Sequence, residues 1–166
     1  EKSDFAEVPP PKFQRLKPDG EVRLMGAYIV RCNEVVKDEN GEIVEIRCTA
    51  DLETGNGMPA DGRKVKGTIH WVSAAHAVDA DLYLYDNLFT LENVGDVPEG
   101  TDYLDYLNPD SLKKLTGCKL EPSLRGAKEG ERFQFVRMGY YVKDREEGRF
   151  NRIVTLKDSF AKTLQK

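Results

Sequence analysis

The chain has 166 residues, 39% hydrophobic and 33% charged, enough to bury a core in one domain or two small ones. A formal net charge of −4 excludes the whole-molecule basic field that announces many nucleic-acid binders. The sequence lacks a signal peptide and an apolar run of ~20 residues, and it starts at Glu1 instead of methionine, so the expectation is an excised, cytoplasmic, non-membrane piece of a longer protein.

In chain order, residues 1–20 are polar, with Pro9, Pro10 and Pro11 in a row, and are expected to form an extended opening segment lying over a surface. Residues 21–30 and 43–48 suit strands, and Asp38-Glu39-Asn40-Gly41 between them is a strong hairpin turn. Val44, Ile46 and Cys48 should face inward, Glu45 and Arg47 outward. A loop rich in Gly, Asn and Pro follows, and then Val65, Gly67, Ile69 and Trp71 alternate with polar residues as a further strand. Leu82-Tyr83-Leu84-Tyr85 has the same pattern. Asn108-Pro109-Asp110-Ser111 should open a short helix with proline in its first turn. Residues 133–142 and 150–156 flank Asp144-Arg145-Glu146-Glu147-Gly148, a second expected hairpin. Short, evenly spaced strands with little helical periodicity predict an all-β sandwich or barrel.

Charge is distributed unevenly. No Lys or Arg occurs between Lys66 and Lys113, where nine Asp and Glu fall, whereas residues 113–137 carry seven basic residues against three acidic ones. An earlier basic cluster, Lys12, Arg15, Lys17 and Arg23, has Phe13 and Tyr28 close by, which would combine stacking with phosphate contact, although clusters of this size are often only solvated faces.

The parts of an active site are missing from the sequence. His70 and His76 lie six apart around Trp71, not at a zinc-ligand spacing, and suit structural histidines. Ser73 has no nucleophile elbow, and no glycine-rich phosphate loop with its lysine is found. Asp79 with Asp81, and Asp102 with Asp105, are acid pairs that nothing adjacent orients for hydrolysis or calcium. Three cysteines form no C-x-x-C and leave an odd thiol, as expected in a reducing cytosol. Cys32 and Cys48 could be bridged across a hairpin, but small buried thiols are the simpler expectation. No catalytic or metal-ligating residue is assigned.

The segment from Pro59, P-A-D-G-R-K-V-K-G-T-I-H-W-V-S-A-A-H-A, followed by L-Y-L-Y-D-N-L-F, closely resembles the C-terminal anticodon-binding domain of the glutaminyl-tRNA synthetases. The likeness continues through Asn108-Pro109-Asp110-Ser111-Leu112, Glu121-Pro122-Ser123-Leu124, Phe133-Gln134-Phe135-Val136-Arg137-Met138-Gly139-Tyr140 and Phe150-Asn151-Arg152, and so covers Asp4 to Lys162. The resemblance implies two tandem antiparallel β-barrels with one or two short helices. The distal barrel would be complete, mainly in residues 21–112, and the proximal one partial, with residues 113–166 returning to it. It implies tRNA, gripped at the anticodon loop of tRNA-Gln, as the partner of a monomeric ligase whose ATP and Mg²⁺ chemistry lies outside these residues, with no cofactor of their own.

Carried over by motif, Arg15 in Phe-x-Arg-Leu matches the reader of the third anticodon base, Arg23 one near the first, and Gln134 with Arg137 in Phe-Gln-Phe-x-Arg the pair on the central uridine. Lys12 and Lys17 would contact phosphate. Arg and Gln present the paired hydrogen bonds that a splayed-out base edge needs. Positions three apart on a regular strand face opposite ways, so Gln134 and Arg137 converge only at a bulge or strand end. The chain departs from the pattern at Asn87 and Met25, where basic residues are usual, and from Ile153 to Phe160. Two alternatives are the related domain of a eukaryote- or archaea-type glutamyl-tRNA synthetase, and a protein-interaction β-module whose acidic 79–110 stretch docks a basic partner.

Overall fold

A computed structural model describes residues 1–156; the parts of the resemblance that fall on residues 157–162 lie outside them. The chain divides into two units, Glu1–Trp71 and a second that begins at Val72. In the second, Val78–Tyr85 is hydrogen-bonded to strands from Leu112 onward.

In the first unit, β1 (Glu21–Leu24), β2 (Ile29–Lys37), β3 (Ile43–Asp51) and β4 (Thr68–Ile69) form a sheet in the order β3-β2-β1-β4. The pairs are antiparallel except β1 with β4. Residues 21–30 are thus not one strand. Gly26, at φ 70°, lets the chain reverse, and the Leu24 and Tyr28 backbones bond across the turn. The turn after β2 is as expected: Asp38 Oδ1 accepts the N–H groups of Asn40 and Glu42, and Gly41 takes φ 82°. Ile46 packs on the core, but Val44 is 62% exposed, since β3 is an edge strand and the ladder shifts register between Val36 and Lys37. The strand expected around residues 65–71 shrinks to two residues because Gly67, at φ 93°, interrupts the extended run.

Residues 1–20 are built into this unit instead of lying over a surface. Phe5 bridges Leu16, and Leu16 joins Val22, Val30, Cys32 and Ile69 in the core. Two turns with proline first and a left-handed second residue, at Pro11-Lys12 (φ 64°) and Pro18-Asp19 (φ 56°), fold the segment back.

The second sheet contains β5 (Val78–Tyr85), β6 (Leu112–Leu120), β7 (Arg132–Phe135), β8 (Gly139–Lys143) and β9 (Arg149–Thr155), ordered β6-β5-β9-β8-β7. Here β5 with β9 is the parallel pair. Ala80, Leu82, Leu120, Tyr141 and Phe150 make its core, with Phe135 stacked on Tyr141 at 4.4 Å. The β8–β9 turn is held by Asp144, which accepts from the Glu146 N–H, from Arg149 and from Asn151. The Glu146 N–H first, then Arg149, holds its carboxyl well below the ordinary carboxylate range. The folded form is therefore favoured above that range and loses the contribution in strong acid.

The all-β expectation holds: two mixed sheets and, among the described residues, only short 3₁₀ helices, at Lys2–Asp4, Val94–Asp96, Tyr103–Tyr106 and Pro122–Gly126. The helix expected at Asn108 is a turn running straight into β6. The Asn108 side chain accepts from the Asp110 N–H and donates to the Asn87 carbonyl, which spends it on turn geometry.

Candidate nucleic-acid interface

In the first unit, residues 13–15 run beside residues 64–67, and the closeness is set by Gly67. A Cβ there would stand 1.8 Å from the Gln14 carbonyl oxygen. Between these segments and β1 opens a cleft of about 570 Å³. Arg15, Lys17, Arg31, Arg63, Lys64 and Lys66 line it together with Phe13, Asp19 and Glu21.

The cations differ in what holds them. Arg63 bonds Glu21 at 3.0 Å, Asp61 at 2.7 Å, and Asp51. These bonds, that to Asp51 first, raise its pKa further above the usual range, and the Arg63 guanidinium in turn lowers Asp51. Arg63 is a fixed strut already neutralised by carboxylates. Arg15 is also anchored: its Nη1 donates to the Ser3 carbonyl at 3.0 Å and its Nε lies 3.3 Å from Asp4 Oδ1. Asp4 is only 2% exposed. Lys17, Lys64 and Lys66 are exposed, which suits mobile phosphate contacts. Arg31 reaches Asp19 only at 3.9 Å, between exposed side chains.

The structure thus places Arg15 and Lys17 in one cleft and leaves Lys12 and Arg23 outside its lining. Lys12 is exposed on the turn before it. Arg23 donates to the carbonyls of Ala27 (3.2 Å), Gly55 (3.0 Å) and Gly57, tying a long loop to the β1–β2 turn. Arg31, Lys64 and Lys66 are cleft cations the sequence reading did not select. The signal was present in Arg63-Lys64-Val65-Lys66, a dense basic run within the quoted motif.

In the second unit, residues 133–142 are not one strand but the β7–β8 hairpin, with Val136-Arg137-Met138 as its tip. Gln134 lies opposite Tyr140, both exposed, on the face away from Phe133 and Phe135. The strand end needed for Gln134 and Arg137 to share a side is therefore present. Arg137 has φ 71° in a turn closed by Met138 N–H to the Phe135 carbonyl at 2.8 Å. This is the second central position of a type II turn, where glycine is favoured and a side chain is strained. Arg137→Gly is therefore expected to be more stable than Arg137→Ala by ~1 kcal/mol, since both lose the side chain and only alanine keeps the left-handed cost. Urea denaturation of the two variants checks this.

The other polar groups serve local structure. His76 Nδ1 lies 2.9 Å from Ser73 Oγ within one turn. Asp102 and Asp105 form the capping box of the Tyr103–Tyr106 helix, and Asp79 pairs with Lys119. Among the described residues, no group of three or more His, Cys, Asp or Glu could hold a metal ion, and no helix is long and apolar enough to cross a membrane.

The described residues thus form two β-sheet units, one with a lysine- and arginine-lined cleft and the other with an arginine at a strained hairpin tip. Residues 1–51 and 68–144 each match a family model described as the anti-codon binding domain of class I tRNA synthetases (E and Q). Across 98% of its length the chain is 53% identical to a glutamine–tRNA ligase of Xanthomonas axonopodis pv. citri (strain 306). It is 53% identical over 95% to that of Ectopseudomonas mendocina (strain ymp), and 51% over 95% to that of Pseudomonas aeruginosa (strain LESB58). The chain spans 29% of the length of each of these relatives. It belongs to the anticodon-binding domain family of the class I glutamyl- and glutaminyl-tRNA synthetases, whose members bind tRNA.

Proposed function

We propose that this chain reads the anticodon loop of tRNA-Gln on behalf of a monomeric, cytoplasmic glutamine–tRNA ligase, in which ATP and Mg²⁺ are used outside these residues. The observation that carries the reading is identity above one half to glutamine–tRNA ligases over nearly the whole chain. The geometry supports a division of labour. Lys17, Lys64 and Lys66 hold the backbone at the cleft, with Lys12 beside it, while Gln134 and Arg137 offer paired hydrogen bonds to the central base. Arg15 and Arg23 would contact bases, as their motif positions imply.

In the full-length protein, Arg137→Ala is expected to lower kcat/KM for charging tRNA-Gln by the ~1–3 kcal/mol typical of one good bidentate contact. It should also weaken discrimination at the central anticodon base. Lys64→Ala and Lys66→Ala should instead weaken tRNA binding evenly across anticodons and each lower the salt slope by ~1. Unchanged charging in Arg137→Ala would remove that residue from base reading, and charging of glutamate in place of glutamine would assign the other branch of the family.

A further inference from the structure

We propose that Cys32 and Cys48 are a redox-responsive thiol pair that closes to a cross-strand disulfide when the protein meets a hydroperoxide. The two residues stand opposite each other in the β2–β3 ladder. Directly opposed residues of antiparallel strands carry their side chains on the same face. The kind of pair follows from the other side of β2. The Cys32 N–H donates to the Gly20 carbonyl at 3.0 Å, so Cys32 spends its backbone bonds toward β1. In an antiparallel strand both backbone groups of a residue point to the same neighbour, which makes Cys32 and Cys48 a non-hydrogen-bonded pair across β3. In such pairs the Cα atoms approach to ~4.5 Å and the side chains are at their closest. That separation falls within the span of a disulfide.

Both thiols are free, and they differ in access: Cys32 is 1% exposed within the core, whereas Cys48 is exposed on the edge strand. Peroxide therefore reaches Cys48. Its thiolate attacks one peroxide oxygen, the O–O bond breaks, and Cys48 becomes a sulfenic acid while the other oxygen leaves as water or alcohol. The Cys32 sulfur then attacks the Cys48 sulfur. The S–S bond forms, the S–O bond breaks, and hydroxide departs with the Cys32 proton as a second water. Two thiols lose two electrons and the peroxide gains them. Burial, and then the nearby Cys32, push the Cys48 thiol up from its ordinary value. The thiolate is scarce at neutral pH, and the reaction should quicken as pH rises. Cys118, whose thiol donates to the Leu115 carbonyl at 3.6 Å in the second unit, has no such partner opposite it and serves as the control.

The inference is independent of the RNA reading. The test is to expose the full-length protein to hydrogen peroxide at several pH values, block remaining thiols under denaturing conditions, and map the tryptic peptides. Cleavage after Arg31, Lys37, Arg47 and Arg63 places Cys32 and Cys48 on separate peptides. The expected result is a linked pair of these peptides, lighter by two hydrogens than their sum, restored by dithiothreitol and formed faster at higher pH. Cys48→Ser should abolish the linkage, and Cys118→Ser should leave it unchanged. The proposal is overturned if Cys48 only gains oxygen while Cys32 stays alkylatable, or if the linked peptides contain Cys118.

Discussion

Gly67→Ala is expected to be the most damaging single methyl group in the first unit, costing ~3 kcal/mol or more. The added carbon would overlap the Gln14 carbonyl oxygen at 1.8 Å and approach its carbonyl carbon at 2.8 Å, both backbone atoms with no rotamer to escape into. Gly67 also keeps φ 93°, and its carbonyl accepts the Arg23 N–H, so relieving the overlap disturbs the start of the β1–β4 pairing. Gly62→Ala is the matched control. It has φ 73° but open space around the added carbon, so it should show only the left-handed cost of ~1–2 kcal/mol. Urea denaturation of both variants separates contact from conformation, and equal losses would show that residues 14 and 67 do not touch.

Arg15→Ala should destabilise the first unit by ~2–3 kcal/mol, before any effect on RNA. Removing one member of a fully buried ion pair costs ~3–5 kcal/mol because the other charge is stranded. The figure is reduced here because the Arg15 side chain keeps 19% of its exposure. Adding Asp4→Asn to Arg15→Ala should recover a good part of the loss, since an amide tolerates burial without a cation. If Arg15→Ala unfolds within ~0.5 kcal/mol of the unsubstituted chain, the pair is not structural. A charging defect in Arg15→Ala is therefore informative about base reading only when set against this stability loss.

The legible and illegible parts of this chain separate along physical lines. Alternation of apolar residues and the turn signals at residues 38–41 and 144–148 are local, and both hairpins formed where they pointed. Two further reversals escaped: Met25-Gly26, where a single glycine inside an apolar run was the only signal, and Val136-Arg137-Met138, which carries none. The latter puts arginine where glycine is preferred, so the local rule failed at a proposed contact residue. The cleft was half visible. Arg15 and Lys17 stood out as a cluster, but Lys64 and Lys66 join them only through the Gly67–Gln14 approach, a contact between distant segments that no local pattern encodes. Arg63 and Arg23 show the opposite error. Basic residues that look available in sequence are committed to carboxylates or carbonyls once the chain folds.

Among the described residues, each unit pairs its first strand in parallel with its last, β1 with β4 and β5 with β9. The final seam can therefore close only after the intervening chain has been made and gathered in, so folding should be governed by a distant encounter more than by its fast local hairpins. On the ribosome, the described strands of the first unit have all emerged once Ile69 has. The second must wait for β9, keeping the Tyr85 edge open through most of its synthesis.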